Sequence, residues 1–437
     1  MTARPDATSP PGSLQRSRNP WAWVPSLYFA EGIPYVIVMI VSVTLYKRLD
    51  VSNTEIALYT SWLYLPWVIK PLWSPVVDLL KTRRAWIVAM QLLIGAGLAG
   101  VALTLPGENF LRWSLAFLWL LAFSSATHDI AADGFYMLGL ERPQQAWFVG
   151  VRSTFYRLAM ITGQGLLVML AGILETRTGN VPLAWSLTFY LLAAVFIVFG
   201  AWHYAMLPRP ATDRPRTGLT ISGLFGGYAE TFVSFFRKPG IVAILAFLLL
   251  FRFAEAQLAK MASPFLLDLP ADGGLGLSTT QLGFVYGTVG VLMLTVGGLL
   301  GGFLAARHGL KFWLWWMVAA INLPNAVYIF LAWAQPDSYW IINAAVAVEQ
   351  FGYGFGFTAY MLYMIQVAEG EHETAHFAIC TGFMALGMML PGMFSGWLQE
   401  LMGYRNFFVW VMAATLPSFL VAALIPLKPG FGRKEKS

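Results

Sequence analysis

Charge is scarce in this chain. Of its 437 residues only 11% are Asp, Glu, Lys or Arg while 58% are hydrophobic, which excludes an ordinary soluble domain, where about a quarter of residues are charged. Cysteine occurs once, at Cys380, so an internal disulfide framework and a multi-cysteine metal cluster are both excluded. No phosphate-binding loop and no nucleotide-hydrolysis motif is found, so the sequence shows no ATP-driven engine. Long apolar runs fill the chain instead. A spanning helix needs about 20 mostly apolar residues. Such runs recur near residues 22–46, 55–79, 85–106, 112–139, 145–174, 183–206, 240–268, 278–305, 311–334, 338–367, 374–400 and 405–427. The chain reads as an all-α polytopic protein of the lipid bilayer with 12 transmembrane helices. The first run is too long for a signal peptide and follows a Pro/Ser/Arg-rich segment without a small-residue cleavage site, so it reads as the first span.

Lys and Arg in the loops set the orientation. With both termini cytoplasmic, 18 of them fall inside and 5 outside (Lys47, Arg48, Arg112, Arg177, Arg405), as the positive-inside rule requires. The net charge of +6 is thereby explained by topology and gives no reason to expect nucleic acid. The longest internal break, 207–240, divides the spans six and six. The expected organisation is a disordered cytoplasmic segment 1–20, a six-helix bundle 21–206, a cytoplasmic linker 207–239, a second bundle 240–427 and a cytoplasmic tail 428–437. "KPLWSPVVDLLKTRR" after span 2 and "GGLLGGFLAARHGLK" after span 8 are each a small-residue helix end leading into a basic turn. Six plus six spans with matching loops resembles the major facilitator superfamily, whose halves are parallel repeats about a central cavity. In that superfamily spans 1, 4, 7 and 10 line the cavity, spans 2, 5, 8 and 11 pack between the halves, and spans 3, 6, 9 and 12 face lipid.

The charges inside the spans follow that division. The cavity class holds Glu31, Asp129, Asp133, Arg252, Glu255, Lys260 and Glu349, the second class holds Lys70, Arg152 and Arg157, and the third holds none. Each costs roughly 2.5–3.5 kcal/mol at a helix centre on insertion scales, so it is kept where water or a partner waits. Asp129 and Asp133 are one turn apart on one face of span 4, with His128 rotated about 100° from Asp129. Two carboxylates that close do not both ionise cheaply in a low dielectric. The pair reads either as proton-coupling groups, along with Glu31 and Glu349, or as static ion-pair partners of Arg152 or Arg157. Tyr28, Glu31 and Tyr35 share a face of span 1, weakened by Gly32 and Pro34. In span 7, Arg252, Glu255 and Lys260 offer a cationic site for an anionic substrate group, or an internal Arg252–Glu255 pair at i,i+3. Glu349, Tyr353 and Tyr360 share a face of span 10, where aromatic surface suits a sugar ring. Tyr28, Tyr35, His128, Arg252, Glu255, Lys260, Glu349, Tyr353 and Tyr360 are therefore the candidate substrate contacts, and Asp78, Arg83 and Arg84, at the end of span 2 and the start of span 3, are candidate gating residues. "HETAH" at 372–376 matches H-E-x-x-H, a zinc-protease pattern when a third ligand is present. It lies at the entry to span 11 with no acid following until Glu400, and reads as a polar helix start.

A narrower resemblance rests on "FAEGIPY", "KPLWSPVVD", "HDIAADGFY", "FYR", "KMASPFLLD", "GGLLGG" with "RHGL", "NLPN" and "LPGMFSGWLQELMGYRNFF", which run in order through the spans. In these the chain resembles the AmpG-type anhydromuropeptide permeases of the peptide/acetyl-coenzyme A transporter group. The resemblance implies a proton-driven bacterial inner-membrane importer of anhydromuropeptides or related amino-sugar oligosaccharides that acts as a monomer without a cofactor. It matches Asp129 and Asp133 to the family's acidic pair, Asp78 to its loop carboxylate and Arg157 to its span-5 arginine. The alternatives are a carrier of acyl-coenzyme A, a sugar or a drug, and a zinc-dependent membrane protease.

Overall fold

Among the described residues the chain is helical between short loops, and proline and glycine mark two of the breaks within its spans. The computed structural model describes residues 18–214 and 221–433, apart from the side chains of Val76, Asp78 and residues 221–228. The gating carboxylate expected at Asp78 and most of segment 1–20 lie outside the described residues. Within those described there is no β-strand. The transmembrane elements are α1 (Pro20–Arg48), α2 (Asn53–Trp62 continued by Leu65–Leu80), α3 (Arg83–Thr104), α4 (Phe110–Gly139), α5 (Arg142–Thr178), α6 (Val181–Met206), α7 (Ile241–Leu267), α8 (Thr279–His308), α9 (Leu310–Ala334) and α10 (Tyr339–Ala368), then α11 and α12 within Glu373–Leu424. A linker helix, Ile221–Phe236, stands between α6 and α7.

Nine of the described helices are long and apolar enough to cross a bilayer, against twelve apolar runs in the sequence, and three local features account for the difference. α2 is broken at Leu63 and Tyr64, just before Pro66 in the first turn of its second piece, where a missing N–H costs nothing. α10 is 30 residues long, but Asn343, Glu349, Gln350 and Gln366 dilute its apolar character. α11 and α12 are joined through Gly403, whose φ of 72° lies outside the helical range. Counted by crossings, the architecture is two bundles of six helices.

The bundles meet along two crossings, α5 with α8 and α2 with α11. Wide π-helical turns, Ile161–Leu167 in α5 and Gly283–Gly290 in α8, face each other there. A Cβ added at Gly287 would stand 2.2 Å from Gly165 Cα. At the second crossing a Cβ at Gly396 would stand 1.9 Å from the Asn53 carbonyl oxygen. Only glycine permits such backbone approach.

The polar ties between the halves gather at the end of the molecule remote from both termini. Lys47 pairs with Asp268 at 2.6 Å. Asn53 donates to Gln399 Oε1 at 2.6 Å and to the Tyr404 hydroxyl at 2.9 Å, and Tyr404 donates to Asp268 at 2.6 Å. Thr54 binds Glu400 through its backbone N–H and its hydroxyl. Glu175, held by Arg48 and Trp185, accepts from Thr279 at 2.7 Å. Among the described residues no comparable hydrogen bond joins the halves at the end bearing the termini, so the polar clasp is one-sided.

Gly287→Ala should lower the melting temperature of the purified protein, because the new methyl meets backbone, a strain costing on the order of 1–3 kcal/mol. Gly302→Ala, where an added Cβ meets nothing within 4 Å, should leave it unchanged, and equal melting temperatures for the two variants would refute the close-crossing account.

Candidate functional site: a charged central cavity

Three acids of the first bundle converge on one point. Carboxylate oxygens of Glu31 (α1), Asp129 and Asp133 (α4) all lie within 4.8 Å of one another. Two cations answer them. Lys70 of α2 is paired with Asp129, and Arg152 of α5 donates to Asp133 at 2.8 Å. Sequence spacing pointed to Arg152 or Arg157 as partners of both aspartates, but the partner of Asp129 is Lys70. Arg152 also lies 4.5 Å from the Tyr28 ring centroid and 5.2 Å from that of Tyr136, favourable cation–π positions. Tyr28 donates to Asp133 at 3.2 Å. Glu31 has no cation of its own, and its Oε2 is buried without a hydrogen-bond partner. Its carboxyl group nonetheless lies within 4.8 Å of those of Asp129 and Asp133. Tyr28, the three acids and Arg152, with Ser153, Tyr156 and Arg157, line a cavity of about 380 Å³. Arg157 makes no ion pair among the described residues, and its Nη1 has no partner.

The second bundle presents a matching cluster. α7 is interrupted at Phe251 and Arg252, which frees backbone carbonyls in the membrane interior, where each must find a donor. Tyr360 donates to the Leu248 carbonyl at 2.6 Å, and Ser418 donates to that of Phe251 at 2.5 Å. The break places Arg252 at the start of the second half-helix. There it binds Glu255 through two hydrogen bonds of 2.7 Å, donates to the Tyr353 hydroxyl at 2.7 Å and lies 4.9 Å from the Phe357 ring centroid. Of the two readings of the α7 charges, the internal pair is the one formed. Tyr35 packs edge-on against Trp67 at 5.4 Å and lies within electrostatic reach of both Asp129 and Arg252, so it stands between the clusters. Glu349, one turn from Tyr353, accepts from the Gln350 side chain at 2.9 Å.

Other expected site residues are placed elsewhere. His128 is fully buried on the back of α4, in a chain where Gln91 joins it at 3.0 Å to His203 and His203 meets Ser26 at 2.9 Å. Tyr360 is fully buried, its hydroxyl committed to the α7 break. Lys260 lies in the seam with α2, donating to Thr60 at 2.8 Å. The backbone N–H groups of Arg83 and Arg84 are capped by Asp213 at 2.8 and 3.1 Å. The Arg83 guanidinium lies against Gly134 of α4, and that of Arg84 binds the Tyr204 carbonyl. In the HETAH segment His376 is hydrogen-bonded to Ser234 at 2.9 Å.

Residues that sequence reasoning passed over include Tyr156 in the cavity, Tyr136, Trp67 and Phe357 against Arg152, Tyr35 and Arg252, and Asn53, Gln399, Tyr404 and Glu175 in the clasp. One signal was available for part of this. Phe-Ala-Glu occurs at 29–31 and at 253–255, and Tyr-Met-Leu at 136–138 and at 360–362, both pairs 224 residues apart. The register sets Tyr28 against Arg252, Glu31 against Glu255, Asp129 against Tyr353 and Asp133 against Phe357. In each half the first and last of these touch: Tyr28 with Asp133, and Arg252 with Phe357.

Residues 26–376 match the Major Facilitator Superfamily family model. The chain is similar to the anhydromuropeptide permease of Escherichia coli K12, 27% identical over 415 residues, covering 90% of this chain and 77% of that protein. Among solved structures it is similar to the nucleoside transporter NupG, with a TM-score of 0.71 at 14% identity, covering 92% of this chain and 99% of that one. It is likewise similar to the D-xylose-proton symporter, with a TM-score of 0.63 at 11% identity and 93% and 97% coverage. At those identities the solved structures speak to fold alone. With a family match over most of its length and an all-helical two-bundle architecture, the chain belongs to the major facilitator superfamily and is a multi-pass membrane transporter rather than an enzyme.

Proposed function

We propose that this protein is a proton-coupled importer of anhydromuropeptides or related amino-sugar oligosaccharides, working by alternating access in the bacterial inner membrane with both termini cytoplasmic. In that orientation the clasped end faces outward and the end without such ties faces the cytoplasm. The expected division into bundles 21–206 and 240–427, joined by a cytoplasmic linker 207–239, fits the same scheme. The substrate class follows from the similarity to a permease of that name and from the lining. Aromatic faces at Tyr28, Tyr35 and Tyr353 suit the C–H surfaces of sugar rings. The unpaired guanidinium of Arg157 and the Arg252 cluster suit the carboxylates of a short peptide stem.

The observation that carries the coupling is the count of charges at the acidic centre. Three carboxyl groups crowd together and two cations pair with two of them. Crowded carboxylates repel in a low dielectric unless one takes up a proton, and Glu31, the one without a cation, is the group that loads and releases. Asp133 is 46% exposed in its side chain, whereas Glu31 is 8% exposed as a residue. Water therefore reaches the centre through Asp133, and the proton is held behind it.

Coupling demands that proton and substrate favour the same conformational step. Glu31→Gln, which mimics the permanently protonated group, should abolish pH-driven uphill uptake of anhydromuropeptide in proteoliposomes while counterflow continues. Retention of uphill uptake would return the coupling role to Asp129, Asp133 or Glu349. Arg157→Gln should weaken binding of the peptide-bearing substrate about tenfold, as the loss of one charge-assisted hydrogen bond does, and leave the peptide-free disaccharide unaffected. Calorimetric titration of both ligands checks this. A purified protein whose melting temperature rises with acetyl-coenzyme A but not with anhydromuropeptide would reject the substrate assignment.

A further inference from the structure

Among the cations within the membrane, Lys260 is in a distinct position. Lys70, Arg152 and Arg252 each hold a carboxylate, and Arg157 lines the cavity. Lys260 is 3% exposed and sits where α7 of the second bundle meets α2 of the first. Its ammonium donates to Thr60 at 2.8 Å and lies 5.2 Å from the Tyr64 ring centroid. The remaining wall is Ser61, whose hydroxyl is buried without a partner, and Gly392 of α11, where an added Cβ would stand 2.8 Å from the Ser61 hydroxyl and 3.4 Å from Lys260 Cγ. Hydroxyls, one ring and a glycine face the charge from α2 and α11. Among the described residues no acid comes within ion-pair distance of it. A lone hydroxyl and a ring face do not replace the water an ammonium loses.

This seam is closed because the two bundles are clasped at that end. Parting them would separate α2 from α7 and return the ammonium to water. We propose that Lys260 is the return spring of the carrier: its uncompensated charge is buried whenever the outer seam closes, and this biases the empty protein toward the conformation in which the seam is open. The inference rests on the alternating-access reading but not on any substrate. Net uptake requires the empty carrier to turn over after each delivery, whereas exchange does not. The burial cost is present in the loaded carrier too, but only net uptake depends on the return of the empty carrier, the step that the spring favours.

The test needs no substrate, so its failure is distinct from failure of the muropeptide assignment. Ala57 of α2 is fully buried in the same seam, clustered with Leu258 and Met261 of α7. In a Cys380→Ser background carrying Ala57→Cys, full-length protein in lipid nanodiscs is exposed to a maleimide, and the rate of modification at position 57 reports how often the seam opens. Lys260→Met should slow modification about tenfold or more, and Lys260→Arg should leave it within about twofold. Ser61→Asp, which puts a carboxylate beside the native lysine, should slow it as Lys260→Met does, and it carries the test if the methionine variant does not fold. An unchanged or faster rate in Lys260→Met or Ser61→Asp, or an equal slowing in Lys260→Arg, overturns the proposal.

Discussion

Most of the charges and freed backbone groups in the interior of this protein are answered from within the chain, because the bilayer supplies nothing to bind them. That constraint orders the architecture. Asp129 brings Lys70 across from α2, Asp133 draws Arg152 from α5, and Glu255 folds Arg252 back along its own helix. The interruption of α7 survives because Tyr360 and Ser418 reach its carbonyls from α10 and α12. Each of these ties lies within one bundle, so each bundle is internally complete. The two bundles are then free to meet through glycine crossings and a polar clasp.

The two halves are built to one plan and charged differently. In the first, Tyr28 and Glu31 of α1 face two aspartates of α4. In the second, Arg252 and Glu255 of α7 face Tyr353 and Phe357 of α10. One bundle thus carries an acid-rich cluster and the other an arginine–aromatic one.

Much of this was legible in the sequence, and what was not has a physical reason. Apolar runs gave the helices and their number, since a span must be about 20 residues whatever it does. The placement of charges picked out the helices that line the cavity, because insertion penalises a charge that has no such use. Spacing along one helix does not tell which neighbour a side chain meets, and so Lys70 of α2 was passed over as the partner of Asp129. The same limit applies to His128, which one residue of helical rotation turns from the cavity into the chain with Gln91 and His203. Lys260 sits on a cavity helix by sequence, yet its depth and azimuth put it in the seam. The clasp residues Asn53, Gln399 and Tyr404 were illegible for another reason: polar residues near helix ends look alike until two distant segments are brought together.

The facing π-helical turns of α5 and α8 have a mechanical meaning. A π turn spreads its hydrogen bonds over a wider ring and packs less tightly than an α turn, so it resists torsion poorly. Setting two such turns against each other, with Gly165 on Gly287 at their contact, concentrates the compliance of both helices at one level of the membrane. The stiff lengths on either side behave as levers about that level. Under the alternating-access reading, a small roll at the fulcrum would become a larger displacement at the end bearing the termini, without deformation of either bundle.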